Sequence, residues 1–376
     1  MPIRICHITT VHPRYDVRIF HKECRSLAAD YEVHLIVADG KGDEVADGIH
    51  IHDIGKPSGR RERMSRFSKR AYQKAVATDA TLYHFHDSEL LPTGKKLARR
   101  GKLVIYDSHE DLPRQILTKP WIPKFLRGFV SVVTERIENH FVRRMSAVIT
   151  ATPHIQDRFR KVTKKPVGCV CNYPILDEIT ACGDWNAKER AVCYVGGIFT
   201  ERGIREMVQA VDKSGTVLKL AGKFSPDSLQ TEMRDEKGWD RVDYLGFIGR
   251  QEINHLLAES MAGLLLLHPL PGYVDSLPIK LFEYMAAGIP VVCSDFPLWR
   301  DIVEKNHCGL CVNPFDTDAA AEAIQKIVEN VDFAMELGAN GRNAAVEKYS
   351  WSSQAEELKL FYKSILKKRS DEYPVD

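Results

Sequence analysis

The sequence predicts an α/β protein of two doubly wound, parallel-sheet domains. Three observations carry that expectation. The chain has 376 residues, more than one hydrophobic core usually organises. Short apolar runs of strand length alternate with longer stretches of helical spacing, the pattern of a parallel sheet covered by helices. The alternation occurs twice, on either side of a stretch with little periodicity.

The first series runs IRICHI at 3–8, a helix from about Asp16, EVHLIV at 32–37, TLYHF at 81–85, KLVIY at 102–106, AVITA at 147–151 and VGCV at 167–170. The second runs AVCYVG at 191–196, a helix after Gly203, then VLKLAG, VDYLG, GLLLLH, IPVVCS and GLCV. Between them NYPILDEITACGDWNAKER mixes polarities without a period, as a linker does. The expected divisions are a first domain over 1–172, a linker over 173–190, a second domain over 191–350, and a C-terminal helix over 351–376 that packs back across the domains.

Composition narrows the functional classes. Lys+Arg number 53 against Asp+Glu 51, which argues against a dedicated nucleic-acid binder. No apolar run approaches the length of a membrane span, and the N-terminus enters a strand directly, so a cytoplasmic protein is expected. The nine cysteines are scattered. Cys6, Cys169, Cys171, Cys193 and Cys293 fall in apolar strands, where a thiol packs as a small hydrophobe and no disulfide is expected. His307, Cys308 and Cys311 have metal-like spacing but lack a second cysteine pair.

In open α/β sheets ligands bind beyond the carboxyl ends of strands, so the informative loops are 9–18, 86–89, 107–114, 196–203 and 268–283. The last is richest. Asp275 and Glu283 stand eight apart with Ser276, Leu277 and Pro278 between them, and Glu283 is expected to open a helix running to Gly288. Free N–H groups around Ser276 to Ile279, the helix dipole and Lys280 would favour a phosphate or sugar oxygen. A carboxylate accepts from neighbouring diol hydroxyls, so Glu283 can hold a ribose while Asp275 orients a sugar. Spacing alone leaves the alternative that both acids simply favour a first helical turn.

The stretch EYMAAGIPVV at 283–292, with YVGGIFTERGI at 194–204, LAGKF at 220–224, YLGFIG at 244–249 and GLCVNPFDTDAAAEAI at 309–324, resembles glycosyltransferase family 4. The resemblance implies the GT-B arrangement, two Rossmann-like domains facing across a cleft, with the acceptor on the first and the nucleotide-sugar donor on the second. It implies ribose contact for Glu283 and, for Asp275, contact near the reaction centre, although the family usually has Glu there. Of the family's Arg and Lys on the donor diphosphate, the Arg position is Gly197 here and the Lys role passes to Arg202. Lys223 or Lys280 would supply the missing charge. YDSHEDLP at 106–113 resembles the family segment whose histidine faces the sugar, which implies that role for His109. His86 and Asp87 would line the acceptor side. The first loop lacks the family's glycine pair, making Arg14 and Arg18 candidate substitutes, whereas Asp16 reads as a helix N-cap.

The implied activity is transfer of a hexose from a nucleoside-diphosphate sugar to a saccharide or lipid-linked acceptor with retention, in polysaccharide or glycolipid synthesis. No cofactor is expected beyond the donor. No metal is expected either: Asp316 and Asp318 precede an alanine-rich helix and read as its cap. A sugar-nucleotide epimerase or a non-catalytic donor-binding subunit are the alternatives. Basic and bulky apolar residues alternate at 59–70 and 119–133, which fits a peripheral contact with an anionic membrane face as well as it fits ordinary surface helices.

Overall fold

The computed structural model describes residues 2–119, 121–180 and 183–372. Two residues of the expected linker and the last four of the expected C-terminal segment lie outside these. The chain forms two units, one running through Asn172 and joined by the segment from Ser352, the other Tyr173–Trp351. The aperiodic stretch belongs to the second unit, where Lys188 Nζ donates to the carbonyls of Ala258 at 2.7 Å and Ser260 at 2.6 Å.

The first unit is built on eight strands: β1 Arg4–Ile8, β2 Glu32–Val37, β3 Glu44–Ala46, β4 Ile49–Asp53, β5 Leu82–Phe85, β6 Leu103–Ser108, β7 Ala147–Thr150 and β8 Val167–Cys169. Their order is β3-β4-β2-β1-β5-β6-β7-β8, and every pair is parallel except β3 with β4. The β3–β4 hairpin was not expected from sequence. Its turn, Asp47-Gly48, has both residues at positive φ, and only Ile49 and Ile51 of β4 are buried. The central strands are buried on both faces, as parallel strands under two helix layers must be. That includes His7 in β1, an inward polar residue among Ile5, Cys6 and Ile8. The helix Trp351–Glu372 belongs mostly to this unit, and its buried Tyr362 bonds His84 of β5.

The second unit carries β9 Ala191–Val195, β10 Val217–Ala221, β11 Val242–Gly246, β12 Ala262–Leu265, β13 Val291–Ser294 and β14 Gly309–Val312, all parallel, in the order β11-β10-β9-β12-β13-β14. The helix Ile204–Ser214 buries Ile204, Met207, Val208 and Val211. The helix Thr317–Glu329 buries Ala320, Ala323, Ile324 and Ile327. Both sets follow the i, i+3, i+4, i+7 spacing of one helix face, and both pack on Val192, Leu218, Leu220 and Leu264 of the sheet. Each such fully buried aliphatic chain stabilises the unit by about 1.5–3 kcal/mol.

In each sheet the chain winds outward from one strand, then returns to that strand's other side. The reversals lie between β1 and β5 in the first unit and between β9 and β12 in the second. The carboxyl ends of those strands are where an open α/β sheet leaves a crevice.

Candidate functional site

In the second unit the turn after β9 is Gly196-Gly197, and Gly196 has φ 138°. A Cβ on Gly196 would collide with Cε and Nζ of Lys280, so the lysine side chain lies directly on the glycine backbone. Arg202 Nη1 donates to Gly197 O at 3.2 Å, and its guanidinium stands 5.0 Å from the Phe199 ring centroid. Lys280 Nζ is 5.9 Å from the centroid of Tyr194. Two cations thus converge on one glycine turn. Burial pulls the Lys280 pKa down to about 8, the charge of Arg202 adds to this, and Glu283 partly opposes it. No carboxylate pairs directly with Lys280 among the described residues.

The chain after β12 makes one helical turn, Pro271–Val274, followed by Asp275. Ser276 turns inward on this loop, its Oγ donating to Tyr273 O at 2.8 Å and its own carbonyl accepting from Trp299 Nε1 at 2.7 Å. Trp299 is fully buried, so the loop is anchored to the core. Pro278 caps the helix Ile279–Ala287, which ends at Gly288 in the left-handed conformation. The N–H groups of Ile279 and Lys280 open this helix, where no intrahelical acceptor exists. Leu277 precedes them on the same approach. Glu283 therefore does not open the helix, as the sequence suggested, but sits one turn inside it. The reason is Pro278, which sets the first helical residue at Ile279.

Glu283 Oε1 accepts from Arg250 Nη1 at 2.7 Å. Arg250, the first residue of the helix Arg250–Glu259, was missed in the sequence. Its signal was there: a cation in a first helical turn opposes the dipole and calls for a nearby anion. Lys223 takes another position. Its side chain is exposed and lies 5.2 Å from the Phe247 ring centroid, although its carbonyl accepts from Ile198 N beside the glycine turn.

In the first unit, His109 Nε2 lies 2.9 Å from Asp107 Oδ2 and 3.2 Å from His86 Nδ1. Asp107 is fully buried, and although burial favours its neutral form, Arg18, His109 and His86 hold its carboxyl well below the usual range. Arg18 Nη2 contacts Asp107 Oδ1 at 3.0 Å, and Nη1 donates to Val170 O at 2.9 Å. Arg14 is equally committed, with Asp39 at 2.7 Å and Glu44 at 2.6 Å. The expectation that Arg14 and Arg18 stand free for phosphate is therefore corrected: both guanidinium groups are buried and used up by carboxylates. Asp16 does cap the first helical segment, accepting from Arg18 N and Ile19 N.

Asp87 organises the loop after β1, taking hydrogen bonds from Thr9 Oγ1 and from the N–H groups of Thr10 and Val11. His86 is buried, and that burial lowers its pKa to about 4 despite the nearby Asp107. His12, which sequence reasoning passed over, lies 5.2 Å from His109 between ring centroids. Burial works against its charged form, but hydrogen bonding to Asp16 and the field of Asp87 outweigh it and raise its pKa. His12, His109, Asp16 and Asp87 gather beyond the carboxyl ends of β1, β5 and β6. Asp316 accepts from Ala319 N and caps the helix Thr317–Glu329, whereas Asp318 in its first turn pairs with Lys213 of the helix Ile204–Ser214.

Residues 177–344 match the family described as Glycosyl transferases group 1, and residues 17–172 match Glycosyltransferase Family 4. The chain belongs to glycosyltransferase family 4. Among curated relatives, this transferase is 26% identical over 248 residues to alpha-D-kanosaminyltransferase of Streptomyces kanamyceticus, covering 61% of this chain and 63% of that protein. The matched stretch thus spans less than two thirds of that relative. It is 24% identical over 319 residues to the MMP alpha-(1->4)-mannosyltransferase of Mycolicibacterium hassiacum, covering 80% and 75% of the two chains. Its fold matches the sucrose-phosphate synthase of Thermosynechococcus elongatus with a TM-score of 0.79 at 18% identity, covering 97% and 99%. It also matches Anabaena HepE, solved with UDP-glucose, at a TM-score of 0.73 and 14% identity, covering 96% and 100%. The family-4 transferase accordingly has the GT-B fold of two parallel-sheet α/β domains. No helix among its described residues is long and apolar enough to cross a membrane.

Proposed function

We propose that this family-4 glycosyltransferase moves a hexose from a nucleoside-diphosphate sugar to a saccharide or lipid-linked acceptor with retention of anomeric configuration. The observation that carries the reading is the convergence of Lys280 and Arg202 on the Gly196-Gly197 turn, at the opening of the helix that bears Glu283. Two crowded cations at a helix N-terminus are an unfavourable arrangement until a polyanion arrives, and a diphosphate satisfies both at once. Glu283 then accepts from the ribose diol, Asp275 orients the sugar, and the N–H groups of Leu277, Ile279 and Lys280 face oxygens of the donor. That HepE was solved with UDP-glucose is consistent with such a donor.

In transfer, the bond from the anomeric carbon to the diphosphate breaks and its electron pair leaves with the phosphate. Arg202 and Lys280 stabilise that developing charge without a bridging metal. The acceptor oxygen forms its new bond on the same face, and its proton passes to the departing diphosphate. His109 and His12 donate to sugar hydroxyls on the acceptor side. The basic and aromatic segment around residues 119–133 places the enzyme on an anionic membrane face, which suits a lipid-linked acceptor in polysaccharide or glycolipid synthesis.

A screen of UDP-, GDP- and ADP-sugars for thermal stabilisation, followed by release of nucleoside diphosphate, tests the reading. One donor should stabilise the enzyme and be cleaved in a Glu283-dependent way. Epimerised sugar without release would instead favour an isomerase, and an inverted product would exclude the same-face mechanism.

A further inference from the structure

Beneath the loops of the first unit lies a cluster that the transfer reaction does not use. His7 of β1, His84 and His86 at the end of β5, and Glu23 of the helical segment Val17–Cys24 are all buried. Glu23 Oε2 stands 3.9 Å from His7 Nδ1, 3.9 Å from His84 Nδ1 and 4.0 Å from His86 Nδ1. These separations are too long for hydrogen bonds. Among the described residues, neither carboxylate oxygen of Glu23 makes a hydrogen bond, nor does Nε2 of His84. Polar atoms this deep are almost always satisfied, so orphaned atoms on both an acid and an imidazole call for a partner.

The charges point the same way. Arg18 contacts the cluster, and two buried carboxylates compete for it. Its fork is taken by Asp107, leaving only an ion contact of 3.1 Å from Nε to Glu23 Oε1.

We propose that His7, His84, His86 and Glu23 bind a divalent first-row transition ion, zinc, as a structural site in the core of the first unit. Three imidazoles and one carboxylate form a donor set suited to zinc, whereas calcium and magnesium prefer oxygen ligands throughout. One ligand atom from each residue lies within 4.8 Å of the others. Zinc bonds of about 2.0–2.1 Å correspond to ligand separations of about 3.3–3.4 Å, so the ligand atoms close on one another by up to about 1.4 Å. The hydrogen bond between His7 Nδ1 and His86 Nε2, 3.0 Å long, is exchanged for bonds to the ion. Tyr362 supplies outer support, its hydroxyl 2.7 Å from His84 Nδ1 and 3.1 Å from His7 Nε2, which leaves the orphaned Nε2 of His84 and Nδ1 of His7 for the ion. Four protein ligands with no open position make the site structural: it fastens β1, β5 and the segment Val17–Cys24 under the loop that carries His12.

The test uses the full-length chain without a histidine tag, stripped by dialysis against dipicolinate and titrated with zinc or cobalt(II). About one equivalent should survive gel filtration by mass spectrometry, with a rise in melting temperature, and cobalt should give the strong visible bands of tetrahedral coordination. Glu23→Gln keeps the shape while removing the charge and should lose the equivalent without a lower metal-free melting temperature. His84→Gln should weaken binding by about 10-fold or more. His34→Asn with His52→Asn, in the separate trio His34, His50 and His52, should leave it unchanged. Failure of the stripped wild type to take up metal would overturn the proposal. So would weak octahedral cobalt bands, retention in Glu23→Gln, or loss in the His34/His52 variant. Should Glu23→Gln not fold, the wild-type cobalt spectrum and His84→Gln still decide.

Discussion

Arg250 holds Glu283: Nη1 donates to Oε1 at 2.7 Å, while Nη2 stands 3.6 Å from Glu178 Oε2. If the arginine presets Glu283 for a ribose, Arg250→Met should weaken donor binding about 5- to 10-fold. Stability should fall by less than about 1 kcal/mol, because the pair is partly solvated. Glu283→Gln should slow donor cleavage more than Arg250→Met does. Calorimetric titration with the preferred donor measures both, and an unchanged affinity in Arg250→Met would sever the link.

Lys280 has a folded-state pKa of about 8, against an ordinary 10.5. Between those values the unfolded chain binds the extra proton, so stability rises with pH across that window and the ammonium is a burden below it. Lys280→Met should therefore raise unfolding free energy at pH 7 by about 1–2 kcal/mol while abolishing donor binding. In the wild type, diphosphate affinity should fall as pH climbs past about 8, since only the charged lysine meets the anion. Urea unfolding at pH 7 and titrations at pH 7 and 9 check both halves.

Gly196 offers a separate handle. Its φ of 138° is one that side-chain-bearing residues rarely adopt, and a methyl there displaces the tip of Lys280. Gly196→Ala should destabilise the enzyme by about 1–3 kcal/mol and weaken nucleoside diphosphate binding. A variant that binds UDP or GDP as well as the parent would refute the cradle.

The Asp107–Arg18 pair predicts opposite consequences for two neighbours. Asp107→Asn leaves the buried Arg18 with only its ion contact to Glu23 and should cost about 3 kcal/mol. His109→Asn, at the partly exposed end of the network, should cost less than about 1 kcal/mol yet lower kcat about 100-fold if the ring contacts the reacting sugar. Denaturant melts paired with turnover separate the two; equal stability losses would contradict the assignment.

Trp121, Phe125 and Phe129 are 64, 84 and 69% exposed, with Phe125, Phe129 and Val132 on one face of the helix Lys124–Val142. Lys119 and Lys124 flank them. The 59–70 segment differs, since Arg63, Arg66 and Arg70 are bonded to Glu89, Glu62 and Ile54 O. Replacing Phe125 and Phe129 by Ser should abolish co-sedimentation with anionic vesicles, whereas Arg63→Ser should have little effect. Absence of pelleting by the wild type would remove the membrane from the proposal.

All twelve strands read from apolar runs are present; most are parallel strands buried on both faces, which must be apolar almost throughout and so announce themselves. The β3–β4 hairpin escaped because half of it is solvent-facing histidine and aspartate. Family membership was legible for a similar reason: EYMAAGIPVV compresses a helix, its left-handed glycine end and a buried strand into ten residues. Asp16 and Asp316 as helix caps were also readable, since capping is a local interaction.

Pairings between distant residues were not readable. That Arg14 and Arg18 are spent on carboxylates, that Arg250 holds Glu283, and that Lys280 rather than Lys223 lies on the glycine turn depend on which strand ends the topology brings together. The buried group of His7, Glu23, His84 and His86 is the clearest case. Its members are spread over nearly eighty positions: His7 and His84 sit in apolar strands, His86 follows one, and Glu23 lies in a charged helical segment. Local sequence determines elements and caps because those energies act within a few residues. Partners for buried charges are chosen only when the sheet forms, because the low dielectric that makes the choice matter exists only inside it.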